Sequence, residues 1–267
     1  MVLKRVIVCM KPVPDPKEWN RLQIDPQTKT LIREGMPSVI NPLDKHALEA
    51  ALQIKDALNV EVVLLSMAPP LGATFLREAL GMGADRGVLL SDKVFAGSDT
   101  LATARIISRG IRHLGAFDLV FCGNSTLDGS TGQVPSQIAE LLGIPSVMHI
   151  SEMEMKDKNV IRLTQNIEHG HVRLEAEPPL LISFLKEANE PRLISFLGIL
   201  EAEKREISIW SNAELGLDPL CLGLSGSPTK MADMLLRKKE RRGERLEGDP
   251  AQLAGCIAER IYQLGFI

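Results

Sequence analysis

Aromatic side chains are scarce in this chain: one tyrosine, two tryptophans and seven phenylalanines among 267 residues. So few rings offer no stacking platform for single-stranded nucleic acid. No charge of one sign dominates either. The formal net charge is −3, so no long-range field draws the protein to nucleic acid or to an anionic membrane. Cysteine is sparse. Cys9, Cys122, Cys221 and Cys256 lie far apart and none forms a CxxC pair, which removes zinc-knuckle and iron–sulfur ligand sets. Single thiols of this kind fit a reducing cytoplasm. No run of about twenty apolar residues exists, so no segment reads as a membrane span. The opening MVLKRVIVCMKPVPD is interrupted by Lys11 and prolines, and reads as a first strand rather than a signal peptide. The usual nucleotide fingerprints are missing as well. No GxGxxG follows the first strand, and no GxxxxGKS or GxxxxGKT occurs. An NAD-type Rossmann half and a P-loop are thereby excluded; other nucleotide sites are not.

What is present is an alternation. Val6 to Cys9, Val60 to Met67, Gly87 to Leu90, Phe117 to Cys122 and Ile144 to Ile150 are short apolar runs. Between them lie helical spacings: Leu48, Ala51 and Leu52 after Asn41-Pro42-Leu43-Asp44; Phe75, Leu76 and Leu80; a helix capped by Ser98-Asp99-Thr100 and running to about Leu114; and Val134 to Leu142. Strands separated by helices make βαβ units, so the expected fold is α/β, a doubly wound, mostly parallel sheet. After Ser151 the pattern changes. Met153 to Met155, Val160 to Leu163, Val172 to Leu174 and Leu180 to Phe184 are strand-like, with turn residues between them, and predict an antiparallel extension. Rhythm is lost after Asn189, apart from an amphipathic helix at about Pro250 to Leu264. The expected division is an α/β nucleotide-binding core over residues 1–200 and an extended C-terminal arm over 201–267 that packs on a partner subunit.

The best anion site runs from Cys122 to Val134: Gly123-Asn124-Ser125-Thr126-Leu127-Asp128-Gly129-Ser130-Thr131-Gly132-Gln133 between a strand end and a helix start. Small residues admit a ligand close to the backbone, and free N–H groups at a helix start favour phosphate. The competing reading is a plain capped loop. Ligands of open parallel sheets bind outside the carboxyl ends of strands, where Cys9 and Met67 also end. The five histidines offer only His169-x-His171, which in a hairpin is a solvated pair rather than a metal set. Nothing pairs Asp44 or Asp128 with a nucleophile. Arg237 to Arg245, interleaved with Glu240 and Glu244, reads as a solvated face.

Val8 to Asp15, Asn41 to Ala51, Ala79 to Arg86 and Ala188 to Arg192, taken in this order, resemble segments of the beta subunits of electron transfer flavoproteins. Val8-Cys9-Met10-Lys11-Pro12-Val13-Pro14-Asp15 is similar to their V-x-V-K-x-V-P-D opening. Asn41-Pro42-Leu43-Asp44 with Ala47 to Ala51 is similar to N-P-F-D-x-x-A-L-E-A-A. Ala79 to Arg86 and Ala188-Asn189-Glu190-Pro191-Arg192 resemble A-L-A-M-G-A-D and N-E-P-R. The resemblance implies an electron-carrier subunit rather than an enzyme with its own substrate. It implies a heterodimer with an alpha subunit that holds the electron-carrying FAD. It also implies a pocket in this chain for AMP or for a second FAD. The pocket residues carried over are Cys9, Lys11, Asn41, Pro42, Leu43, Asp44, Ser66, Met67, Asn124, Ser125, Asp128, Gly129, Ser130, Thr131, Gly132, Gln133 and Val134. The resemblance further implies a flavin-dependent acyl-CoA dehydrogenase or similar flavoenzyme as partner, docked through Pro191, Arg192, Phe196 and Leu197, with Phe196 as the apolar anchor. A packed-core reading of Leu193, Phe196 and Leu197 competes with that assignment.

Departures from the pattern are informative. The family's G-K/R-Q-A-I-D is here Gly123-Asn124-Ser125-Thr126-Leu127-Asp128, so a basic residue is lost beside the expected phosphate. Gly223-Leu224-Ser225-Gly226-Ser227-Pro228-Thr229-Lys230 resembles the G-L-S-G-S-P-T stretch of electron-bifurcating members, and favours a second FAD over the structural AMP of ordinary members. The alternatives from other classes are a nucleotide-binding regulatory module or an ATP-using enzyme on a related fold. For these the sequence supplies no base, no metal-binding carboxylates and no phosphate-facing lysine.

Overall fold

The computed structural model describes residues 3–21, 23–24, 31–32, 37–157, 159–230, 243 and 245–266. Strands β1 (Arg5–Cys9) and β2 (Pro12–Pro14) precede the short β3 (Gln23–Ile24), β4 (Leu31–Ile32) and β5 (Ser38–Ile40) and the helix α1 (Pro42–Leu58). Then β6 (Glu61–Met67), α2 (Gly72–Met82), β7 (Arg86–Leu90), α3 (Thr100–Leu114), β8 (Leu119–Gly123) and α4 (Val134–Leu142) alternate. They are followed by β9 (Ser146–Met155), β10 (Ile161–Ile167), β11 (Gly170–Ala176), β12 (Leu180–Phe184), α5 (Phe196–Lys204), β13 (Ile207–Trp210), α6 (Asn212–Leu215) and α7 (Pro250–Gln263).

Nine strands form one sheet in the order β11-β10-β9-β12-β8-β1-β6-β7-β13. The pairs from β9 through β13 are parallel, and β9-β10-β11 form the antiparallel extension. The expected α/β fold is therefore the observed one. Side chains alternate across the sheet, as the two-residue period of a strand requires. Val6, Val8, Leu119 and Phe121 face one side with α1 and α2, whereas Ile7, Val120 and Cys122 face the other with α3 and α4. Both faces are covered, which is why these strands read as nearly continuous apolar runs.

Local chemistry sets the helix ends. Asp99 accepts the Ala102 N–H at 3.0 Å and starts α3, while Gly115 ends it. Pro42, whose missing N–H costs nothing in a first turn, begins α1. Asn59, with φ 54°, ends it in the left-handed conformation that asparagine tolerates. The span of α3, to Leu114, is the expected one.

Two expectations are corrected. Leu180–Phe184 does not extend the antiparallel hairpins: β12 inserts between β8 and β9, parallel to both. Its continuous burial suits a central strand, but pairing direction is a nonlocal choice that its sequence does not carry. Residues after 200 are not all irregular. The position of the expected boundary falls inside α5, and β13 pairs with β7 at the sheet edge. Contacts divide the chain into Met1–Ala232 and Asp233–Ile267. Within the second unit, Asp249 caps α7 by accepting the Ala251 N–H at 3.1 Å. Most of the run 237–245 lies outside the described residues. Among the described residues no helix is long and apolar enough to cross a membrane.

Candidate nucleotide site at the strand ends

The chain leaves β1 toward β6 and β7 on one side and returns through α3 to β8 on the other. The ends of β1 and β8, at Cys9 and Gly123, therefore flank a topological switch point, where open α/β sheets bind their ligands. The start of α1 is wedged into this crevice. Asn41 is fully buried; its Nδ2 donates to Asp44 Oδ1 at 3.0 Å and to the Ser125 carbonyl at 2.9 Å, and its Oδ1 accepts the Leu127 N–H at 3.3 Å. Asp44 accepts the backbone N–H groups of Lys11 at 2.8 Å and of Gly123 at 3.2 Å. Burial raises the Asp44 pKa to about 7 against the pull of these donors. A side chain at Gly123 would intrude on the Asp44 carboxylate, so this close approach requires glycine. Asn41 and Asp44 thus work inside the protein, joining β1, α1 and the loop after β8.

That loop, residues 124–133, stands over the strand ends. Lys11 Nζ binds both carboxylate oxygens of Asp128, at 2.7 and 2.8 Å, and Asp128 Oδ1 also accepts the Gly129 N–H at 2.8 Å. Ser130 and Gly132 take positive φ values of 49° and 63°, which turn the backbone sharply before α4. Gly129, Ser130, Thr131 and Gln133 are exposed. Added bulk at Gly129 would meet only Thr126 Oγ1, at 3.6 Å. No side chain caps α4. Gln133 Oε1 instead accepts from Thr100 Oγ1 at 2.9 Å, and Gln137 Oε1 is buried with no partner among the described residues. An uncapped helix start behind an open, small-residue turn fits a phosphate group. Ser66 is buried and Met67 half-buried at the end of β6, next to the end of β1 at Cys9. Cys9 and Cys122 lie buried on the neighbouring strands β1 and β8, and the nearby Cys9 thiol together with burial pushes the Cys122 thiol well up. Among the described residues no three His, Cys, Asp or Glu side chains gather in a way that could hold a metal ion.

Sequence reasoning did not reach several neighbours of this site. Thr100 on α3 donates to Gln133 and in turn accepts from Gln137 Nε2 on α4 at 3.4 Å. Ser183 links the His149 N–H, at 3.1 Å, to Asn124 Oδ1, at 3.3 Å, beside a strand irregularity at which His149 takes a φ of 60°. No local motif announces such contacts. Asp99 and the 223–229 segment were each conspicuous in sequence, but their union was not. Asp99 Oδ2 accepts the Thr229 N–H at 2.9 Å and its hydroxyl at 2.7 Å, and the Asp99 N–H donates to buried Ser227 Oγ at 2.8 Å. These bonds hold Asp99 ionised: burial opposes, but the Ala102 and Thr229 donors lower its pKa below the usual value.

The four expected docking residues lie at a separate place: Pro191 and Arg192 precede α5, with Arg192 bonded to α1, and Phe196 and Leu197 open α5. Arg192 turns inward, and Pro191 is half-buried. Asn189 clasps His46, donating from Nδ2 to the His46 carbonyl at 2.9 Å. Ile194 packs on Gly81, whereas Leu193, Phe196 and Leu197 are 94%, 77% and 65% exposed. The packed-core reading of those three residues is therefore wrong.

Comparison with known proteins gives the family of the chain. A family model described as the electron transfer flavoprotein domain matches residues 28–215. The chain is 40% identical over 261 residues to the caffeyl-CoA reductase–Etf complex subunit CarD of Acetobacterium woodii, covering 97% of this chain and 98% of the relative. It is 40% identical over 262 residues to the electron transfer flavoprotein subunit beta of Clostridium acetobutylicum, covering 98% and 99%. It is 36% identical over 266 residues to the acryloyl-CoA reductase electron transfer subunit gamma of Anaerotignum propionicum, covering 97% and 98%.

Proposed function

The chain belongs to the electron transfer flavoprotein family as a beta-type subunit, and from that premise we propose that its switch-point pocket holds a second FAD for flavin-based electron bifurcation. The observation that carries the reading is the open turn at Gly129 to Gly132 leading into the uncapped start of α4, directly beyond the end of β8. The FAD diphosphate would lie on the backbone amides of this turn, with Ser130 and Thr131 hydroxyls beside it. Its adenosine would rest against Cys9, Leu43, Ser66 and Met67. Bound there, the isoalloxazine supplies the redox chemistry, and the protein supplies orientation and electrostatics. Two further facts favour FAD over AMP: the Gly223 to Thr229 segment is pinned at Asp99 on the pocket-side end of α3, and the named relatives from Acetobacterium and Anaerotignum serve CoA reductases.

The protein would act in the cytoplasm as a carrier within a heterodimer. An alpha subunit would bind the main electron-carrying FAD and bury the arm within residues 201–267. Pro191, Arg192, Phe196 and Leu197 would dock a flavin-dependent dehydrogenase or reductase. The exposed Phe196 and Leu197 support this role.

The test is chromatography of nucleotides released by denaturing the purified heterodimer. Two FAD per dimer is the expected result. One FAD and one AMP would make the protein an ordinary carrier. Absence of any adenine nucleotide attributable to this subunit would overturn the pocket assignment.

A further inference from the structure

We propose that Lys11 is a positioning residue, which latches the phosphate loop onto the end of β1 through Asp128 and does not itself meet the phosphate. The inference rests on the nucleotide reading of the pocket. Lys11 lies beside a loop whose usual basic residue is replaced by Asn124, which invites its assignment as the substitute cation. The geometry points elsewhere. Its ammonium is held by both oxygens of Asp128, at 2.7 and 2.8 Å, and the Asp128 side chain is only 5% exposed. Swinging Lys11 toward a phosphate would break both of these bonds and take from a buried carboxylate its ammonium partner, a costly change inside a folded protein.

The backbone of Lys11 is fixed as well. Its N–H donates to Asp44 Oδ2 at 2.8 Å, and its carbonyl accepts the Asn41 N–H at 3.0 Å. One residue therefore ties together the end of β1, the start of α1 and the loop. Asn41 holds the loop at Ser125 and Leu127; Lys11 holds it at Asp128; and the Ser130 N–H closes the turn on the Thr126 carbonyl at 2.9 Å. Immediately beyond these ties come the positive-φ residues Ser130 and Gly132, which orient the amides. The binding power then resides in backbone N–H groups, and the ion pair supplies their preorganisation.

The two readings differ in sign for one variant. If Lys11 were the phosphate cation, Asp128→Asn would release it and tighten binding. If Lys11 is a latch, Asp128→Asn loosens the loop and weakens binding as Lys11→Met does. The experiment uses the full chain with whatever subunit co-purifies, as wild type, Lys11→Met, Lys11→Arg, Asp128→Asn and the double variant Lys11→Met/Asp128→Asn. Amide hydrogen exchange over residues 125–130, without added nucleotide, should accelerate about 10-fold in both charge-removing single variants and no further in the double variant, since they break one shared interaction. AMP titrated calorimetrically into nucleotide-stripped protein should bind about 10-fold more weakly to each, with partial rescue in Lys11→Arg. Unchanged exchange, or tighter AMP binding by Asp128→Asn, would overturn the latch. Failure of wild type to bind AMP or FAD would sink the pocket reading instead, while the exchange data would still judge the ion pair.

Discussion

Arg192 grips Glu49 with two parallel bonds, Nε to Oε2 at 2.8 Å and Nη2 to Oε1 at 3.0 Å, and extends to Asp56 at 2.8 Å. Glu49 sits in the middle of α1 with its side chain 6% exposed, so the guanidinium is its chief compensation. The Glu49 contact is also what raises the Arg192 pKa furthest, locking its charge. The apolar residues that follow are thereby held outward on a rigid base.

Arg192→Ala should therefore destabilise the protein by about 3 kcal/mol, because it strands a buried carboxylate. Urea denaturation measures this. A loss of under about 0.5 kcal/mol would mean that water or a neighbouring group replaces the guanidinium. The exposed pair with Asp56 contributes little, and Asp56→Ala should be nearly silent.

Phe196→Ala should separate docking from folding. The ring is 77% exposed, so its removal should leave unfolding free energy within about 0.5 kcal/mol of wild type. As an interface anchor it should weaken partner association by about 2 kcal/mol, read as slower electron exchange with the partner flavoenzyme at low concentration. Unchanged exchange rates would remove Phe196 from the docking surface.

Gly132 and Gly123 should fail in different ways. Gly132 has a φ of 63° on the outer loop, so Gly132→Val should strain the turn and expel nucleotide while the sheet survives. Gly123→Ala would press a methyl group against Leu43 and Asp44 backbone atoms at 2.8 and 2.9 Å, and should cost about 1–3 kcal/mol of stability. Released nucleotide and circular-dichroism melts, measured together, distinguish the two. Full nucleotide retention in Gly132→Val would rule out the loop as the phosphate site.

Asp44 should leave a signature in the pH dependence of stability. Burial raises its pKa from 3.8 to about 7, so the folded state holds a proton that the unfolded state has already lost between those values. Stability should accordingly fall as pH rises through that window, by up to about 1.4 kcal/mol per pH unit from this group. Wild type should lose stability relative to Asp44→Asn from pH 4 to pH 7, since the variant lacks the titration. A constant difference would show that the Lys11 and Gly123 N–H groups keep the carboxylate ionised throughout.

The residues that announced themselves in sequence were those whose cause is local. Asp99 caps α3 three residues ahead of Ala102, Val134 to Leu142 carries its own period and its closing glycine, and Val6 to Cys9 is apolar because both of its faces are covered. The small-residue turn from Asp128 to Gly132 was legible for the same reason, as were the ordered segments that resemble the electron transfer flavoproteins. Tertiary structure alone decided where β12 would pair, because a buried run such as Leu180–Phe184 fits between any two strands that expose the right edges. It alone joined Lys11 to Asp128 across 117 positions, and Ser227 and Thr229 to Asp99. It also turned Phe196 and Leu197 outward, since Ile194 and Arg192 had taken the inward places on Gly81 and Glu49. Apolar pattern and capping act over one or two turns of chain, whereas ion pairs and strand order are chosen among partners far apart in sequence, and only the closed fold selects them.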